Sequence, residues 1–168
     1  MRRLYLLRHA KSSGDDPGLA DHDRPLAPRG RRAGELLAAH VLRAQIAPAL
    51  VLCSTSKRTR ETLALLDLSS KTVVVYERGL YAAPAETLLR RLRTVRKGVG
   101  SLILVGHSSG IEDLAVLLAA RGERLADLRE KFPTGALATL DFETPWSELD
   151  RGAAELSGYV LPRELVSA

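Results

Sequence analysis

The sequence predicts a three-layer α/β/α sandwich around a mainly parallel, mixed central sheet. Short apolar or β-branched runs alternate along the chain with segments whose apolar residues recur at helical spacing, which is the pattern of βα units. Between them lie polar stretches rich in Gly, Pro and Asp, the residues that turns require. The 168 residues, 45% hydrophobic and 27% charged, suit one domain over 1–168 and exclude a disordered chain.

The elements follow in order. Arg3 to Leu7 is an apolar strand that runs into Arg8-His9-Ala10. Lys11 to Pro28 is a loop, marked by Gly14, Gly18, Pro17, Pro25 and scattered aspartates. Ala33, Leu36, Leu37, His40 and Val41 then share one helical face, and Pro48 ends that segment. Leu50 to Cys53 is a second buried strand, with Ser54 the expected N-cap of the next helix. Val73 to Tyr76 is a third, β-branched strand. Pro84 fits the first turn of a helix with Leu88, Leu89, Leu92 and Val95 on its apolar face and Arg90, Arg93 and Lys97 opposite. Ser101 to Val105 is a fourth strand ending in Gly106-His107, Ile111 to Ala120 an apolar helix, and Ala136 to Phe142 an alternating fifth strand. Trp146 to Leu165 has no clear period. Ligands of open α/β sheets bind beyond the carboxyl ends of the strands. Arg8-His9, Ser54 to Arg60 and Gly106-His107-Ser108 are therefore expected to converge on one crevice.

The net charge of +5 fits an anionic substrate as well as nucleic acid. The modest excess and the 4% aromatic content disfavour a nucleic-acid-binding module. A single cysteine, Cys53, allows no disulfide within the chain and points to a reducing, cytoplasmic compartment. The apolar run after Met1 stops at Arg8, too short for a signal peptide. No apolar run approaches the roughly 20 residues of a membrane helix.

Chemistry concentrates at the strand ends. A neutral imidazole such as His9 can attack phosphorus, and a guanidinium such as Arg8 can hold two phosphate oxygens at once. Gly106-His107-Ser108-Ser109-Gly110 fits the G-x-S-x-G nucleophile elbow, which makes Ser108 a candidate esterase nucleophile. That mechanism needs a histidine later in the chain. The histidines are His9, His22, His40 and His107, and none follows Ser108. His107 is thus the preferred functional residue, with flanking glycines that admit a ligand and a helix N-terminus behind it that favours an anion. Lys57, Arg58 and Arg60 open a helix where acids are normally favoured. A bound phosphate explains them; a solvated basic face is the alternative. His40 lies on an apolar stripe and reads as a core or boundary residue, and His22 as a loop residue in solvent or at the site's rim. The chain contains no P-loop string, H-x-x-x-H motif or cysteine pair.

Taken together, these residues resemble the histidine phosphatase superfamily, also called phosphoglycerate mutase-like. Arg8-His9-Ala10 matches its leading motif. Arg58, within Ser54-Thr55-Ser56-Lys57-Arg58-Thr59-Arg60-Glu61-Thr62, matches its second arginine, and Val105-Gly106-His107 its second histidine. The chain is most similar to the small SixA-type phosphohistidine phosphatases, through Arg8-His9-Ala10-Lys11-Ser12, Asp23-Arg24-Pro25-Leu26, Leu80-Tyr81-Ala82-Ala83, Leu104-Val105-Gly106-His107 and Phe132-Pro133-Thr134-Gly135-Ala136.

The resemblance implies a hydrolase that needs no metal or other cofactor. Neutral His9 attacks phosphorus in line, Arg8, Arg58 and His107 hold the equatorial oxygens, and Lys11 and Ser12 add phosphate contacts. Water then hydrolyses the phosphohistidine intermediate. Larger members carry a proton-donating glutamate after the third strand. That place falls near Ala82 here, which leaves Glu77, Glu86 and the loop residues Asp15, Asp16 and Asp23 as candidates. The absence of a glutamate at that place and the short chain favour a phosphohistidine protein as substrate. A small-molecule phosphate ester, or a mutase reaction, is the alternative.

Overall fold

The computed structural model describes residues 1–165. The chain runs β1 (Arg2–Arg8), α1 (Pro28–Arg43), β2 (Leu50–Ser54), α2 (Lys57–Leu65), β3 (Val73–Glu77), α3 (Ala85–Leu92), β4 (Ser101–Gly106), α4 (Gly110–Leu118), β5 (Ala119–Arg121), α5 (Leu125–Glu130), β6 (Leu137–Phe142) and β7 (Ala154–Val160). One seven-stranded sheet has the order β3-β2-β4-β1-β6-β7-β5. The four strands β3, β2, β4 and β1 are mutually parallel. Strand β6 is antiparallel to both β1 and β7, which makes the sheet mixed as the sequence predicts.

Alternation along the strands builds the three layers. Leu4 and Leu6 of β1 join Leu88, Leu92, Ile111 and Leu114 in a core under α3 and α4. Tyr5 and Leu7 point the other way, to Leu37, Val41, Leu63 and Leu66 of and beside α1 and α2. Leu6 is fully buried, so truncating such a leucine to alanine costs about 2–5 kcal/mol.

Several elements differ from their sequence reading. The N-cap of α2 is Ser56, whose side chain accepts from the Thr59 N–H, while Ser54 ends β2. Pro84 occupies the N-cap position of α3, one residue before its first turn. Helix α4 stops at Leu118, because Ala119–Arg121 pairs with β7 instead. The aperiodic tail is structured. Trp146 is fully buried in a 3₁₀ turn, its indole N–H donating to the Val99 carbonyl at 2.7 Å. Strand β3 lies at the sheet edge with Val73 and Tyr76 exposed. Among the described residues, no helix is long and apolar enough to cross a membrane.

Candidate active site

Strand register brings the site together. Arg8 of β1 pairs with Gly106 of β4, and the His9 N–H donates to the Gly106 carbonyl at 3.1 Å. His9 and His107 therefore leave adjacent strands side by side, with ring centroids 5.5 Å apart. On the far side of β4, β2 ends at Ser54, whose Oγ lies 2.8 Å from His107 Nε2. Two residues later Ser56 starts α2, which puts Arg58 in its first turn, 6% exposed. The turn before β6 closes the floor. The Gly135 N–H reaches the carbonyls of Arg8 and His9, both at 3.0 Å, with a φ of +75° that favours glycine.

The His9 ring is held in one tautomer. Its Nδ1 lies 2.7 Å from the Ala10 carbonyl oxygen. A carbonyl only accepts, so Nδ1 carries the hydrogen and Nε2 keeps its lone pair. Burial, reinforced by the charges of Arg58, Arg8 and Arg24, lowers the His9 pKa to about 4. Burial, with Arg58 next, lowers that of His107 to about 3. Both rings are thus neutral at pH 7. Ser54 Oγ accepts the Ser56 N–H at 3.3 Å and can donate to or accept from His107 Nε2. The Arg58 guanidinium, which only donates, lies 3.4 Å from His107 Nδ1, so Nδ1 accepts and Nε2 carries the hydrogen toward Ser54 Oγ.

Cations ring the two histidines. Arg8, Lys11, Ser12, Arg24, Arg58 and Thr134 help to line a cleft of about 420 Å³ around them. Arg8 Nη1 donates to the Phe132 carbonyl at 2.9 Å. Arg58 is fixed by Asp21, with Nη1 donating to its carbonyl at 2.6 Å and Nη2 to Oδ2 at 2.9 Å. Arg58 Nη2 also lies 3.4 Å from His107 Nδ1. The Tyr81 hydroxyl donates to the same Asp21 carboxylate. That bond and the one from Arg58 hold the Asp21 pKa down to about 2. The Tyr81 ring stands edge-on to His107 and to His22. The buried Nε atoms of Arg8 and Arg58 have no acceptor among the described residues. Buried donors without an acceptor are costly, and a tetrahedral oxyanion supplies acceptors for them together with negative charge.

The structure brings Arg8, His9, Lys11, Ser12, Arg58 and His107 to this one cleft. Lys57 and Arg60, from the same helix turn as Arg58, stay exposed. Ser108 also lines the cleft, but among the described residues no histidine hydrogen-bonds to its side chain. None of the candidate acids lines it. The Glu77 carboxylate is held by Arg91 at 2.8 Å, and Glu86, Asp15, Asp16 and Asp23 are exposed. His22 does not line the cleft; its Nε2 lies 2.9 Å from Thr55 Oγ1 and its ring stands edge-on to Tyr81. Sequence reasoning missed Ser54 and Asp21 as site residues, and it had Arg24 and Tyr81 only as parts of motifs. Asp21 shares its loop with Asp23, so the loop was visible but not which carboxylate turns inward.

The architecture and cleft define an α/β enzyme that handles a phosphate-like anion, and known proteins give that class its name. The sequence profile of the histidine phosphatase superfamily (branch 1) matches residues 4–81. An uncharacterized protein of Mycobacterium tuberculosis is 42% identical over 94% of this chain and 100% of its own length. Two solved structures, each a "putative phosphohistidine phosphatase SixA", share the fold. That from Nakamurella multipartitia has a TM-score of 0.84 at 30% identity, covering 96% of both chains. That from Agrobacterium tumefaciens has a TM-score of 0.81 at 33% identity, covering 96% of this chain and 98% of its own. This chain belongs to the histidine phosphatase superfamily, and it is a phosphatase. Within the superfamily it falls in the SixA-type branch.

Proposed function

We propose that this phosphatase removes phosphate from phosphohistidine carried on a protein, by way of a covalent intermediate on His9. The observation that carries the reading is the neutral, buried His9 imidazole, its Nε2 lone pair free in a cleft lined by arginines. In the first step Nε2 forms a bond to phosphorus as the bond from phosphorus to the substrate's imidazole nitrogen breaks. Solvent protonates the departing imidazole. In the second step water attacks phosphorus, the His9–phosphorus bond breaks, and phosphate leaves with the water's proton released to solvent. Arg8 and Arg58 offset charge on the equatorial oxygens throughout, and Lys11 and Ser12 add contacts. His107 stands beside these oxygens as a neutral ring, its Nδ1 accepting from Arg58 and its Nε2–H donating to Ser54 Oγ.

The acids decide the substrate class. Asp21, the carboxylate that holds Arg58, is ionised at pH 7, so it has no proton to give. An alkoxide leaves badly without a proton donor, whereas a phosphorylated imidazole can take its proton from water. Two structural relatives bear the name phosphohistidine phosphatase, in line with this choice. The reading places the enzyme in the cytoplasm, because a single, buried, unpaired cysteine suits a reducing compartment. The test compares kcat/KM on a phosphohistidine protein with that on phosphoserine and a panel of sugar phosphates. A preference of about 100-fold or more for the phosphoramidate is expected. Comparable rates, or strong selection of one small ester, would overturn the substrate.

A further inference from the structure

A second, larger concavity of about 840 Å³ lies beside the catalytic cleft. The two share Lys11 and Thr134, so a molecule seated in one continues into the other. One wall is α1, where Arg29, Arg32, Leu36 and Ala39 recur at steps of three and four residues and form a single stripe. At 1.5 Å per residue the stripe is about 15 Å long, the length of some three helical turns. The opposite wall comes from the turn before β6 and from the segment after β7, with Leu161 and Pro162 as its apolar part.

The groove has a direction. Gly30 packs so closely on the loop after β1 that a Cβ there would stand 2.1 Å from the Lys11 carbonyl oxygen. The Arg29 and Arg32 end of the stripe therefore abuts the cleft, and Leu36 and Ala39 lie farther along. Arg29, Arg32 and Lys11 are exposed and take part in no ion pair among the described residues. Among the described residues, Glu35 is the only acid in the lining. The groove is thus basic beside the site of phosphate transfer, and beyond it Leu36 and Ala39 offer apolar surface, with Arg163 on the opposite wall.

We infer that this groove docks the protein substrate through an amphipathic helix that carries the phosphohistidine. The helix lies along α1, with acidic residues next to the phosphohistidine facing Arg29 and Arg32. Its apolar residues, one to three turns farther on the same face, pack against Leu36 and Ala39, the helix-in-groove mode of recognition. This rests on the phosphohistidine reading and deepens it, since free phosphohistidine fills the cleft and leaves the groove unused.

The test uses two helical peptides, each chemically phosphorylated on one histidine. The first has glutamates flanking the histidine and leucines four, seven and eleven residues beyond it; the second has lysine and serine at those places. Both, and free phosphohistidine, are assayed with the wild type and with Arg32→Glu and Ala39→Glu. The first peptide should exceed the second at least tenfold in kcat/KM, chiefly through KM. Each substitution should erase that difference and leave turnover of free phosphohistidine within twofold. Equal kcat/KM for the two peptides on the wild type would overturn the groove and leave the phosphohistidine reading standing. No hydrolysis of any of the three would remove that reading itself. A fall on free phosphohistidine as large as on the peptide would also overturn the docking role. So would a wild-type dimer that Ala39→Glu dissociates in sedimentation, because it would give the groove to a second copy. Should Ala39→Glu fail to fold, Arg32→Glu on the exposed face decides alone.

Discussion

Acid should weaken this fold through two imidazoles in the cleft. An exposed histidine titrates near 6.5, but burial holds His9 at about 4 and His107 at about 3. Below about pH 6.5 the unfolded chain therefore binds protons that the folded chain refuses. Stability present at pH 7 is lost as the pH falls toward the folded values, and the loss levels off beneath them. Between pH 7 and pH 5 each ring contributes a loss of about 2 kcal/mol, given 1.36 kcal/mol per pH unit and proton. The two together, about 4 kcal/mol, are a large part of an ordinary stability of about 5–15 kcal/mol. Urea unfolding at both pH values, in chloride buffer without phosphate, measures the loss for the wild type and for His9→Gln. Other titrating groups act alike in both proteins and cancel in the comparison. The variant should lose about 2 kcal/mol less than the wild type. Added phosphate should shrink the wild-type loss, because a bound dianion favours the charged imidazolium. Equal losses in the two proteins would refute the assignment of a buried, neutral His9.

Other expectations concern the parts around it. Arg58→Ala should lower kcat/KM by about 10²–10³, the usual effect of removing a donor aimed at transition-state charge. Asp21→Asn should cost about tenfold, mainly in KM, as the hold on Arg58 loosens; steady-state kinetics on both variants checks this, and a collapse of kcat in Asp21→Asn alone would give Asp21 a role beyond positioning. In Gly30→Ala the new methyl meets the Lys11 carbonyl at 2.1 Å. A loss of about 1–3 kcal/mol in thermal or urea unfolding is expected, together with lower activity as the loop after β1 shifts; an unchanged transition would contradict the packing. Glu77→Gln should leave kcat within about twofold, since this carboxylate is held by Arg91 and lies outside the cleft lining. A large fall in kcat would restore Glu77 as the acid.

Much of this architecture could be read before folding, for identifiable reasons. Strands β1, β2 and β4 are buried on both faces, so their sequences are near-continuous apolar runs that announce themselves. The three-residue β5 could not be read. Ala119-Ala120-Arg121 continues the composition of α4, and only its pairing with β7 makes it a strand. Ser54 looked like a cap because it follows a strand, yet Ser56 caps α2 and Ser54 instead supports His107. The core of the site was legible because Arg8, His9 and His107 sit at strand ends and Arg58 just after one. Asp21 and Tyr81 were not, because they act through contacts between residues far apart in the chain. Asp21 meets Arg58 across 37 positions, and Tyr81 meets Asp21 across 60. The docking groove was hidden for the same reason. Its second wall comes from a stretch with no period, and only the fold lays that stretch against α1.

The central claim is that phosphate passes through His9, and trapping the intermediate tests it most directly. The enzyme is mixed with a phosphohistidine protein, quenched in alkali within its first turnovers, and mapped by mass spectrometry. The account predicts one phosphate on His9, stable in alkali, labile in acid and absent from His9→Ala. Phosphate on Ser108, or turnover with no phosphoenzyme and with His9→Ala fully active, would contradict it.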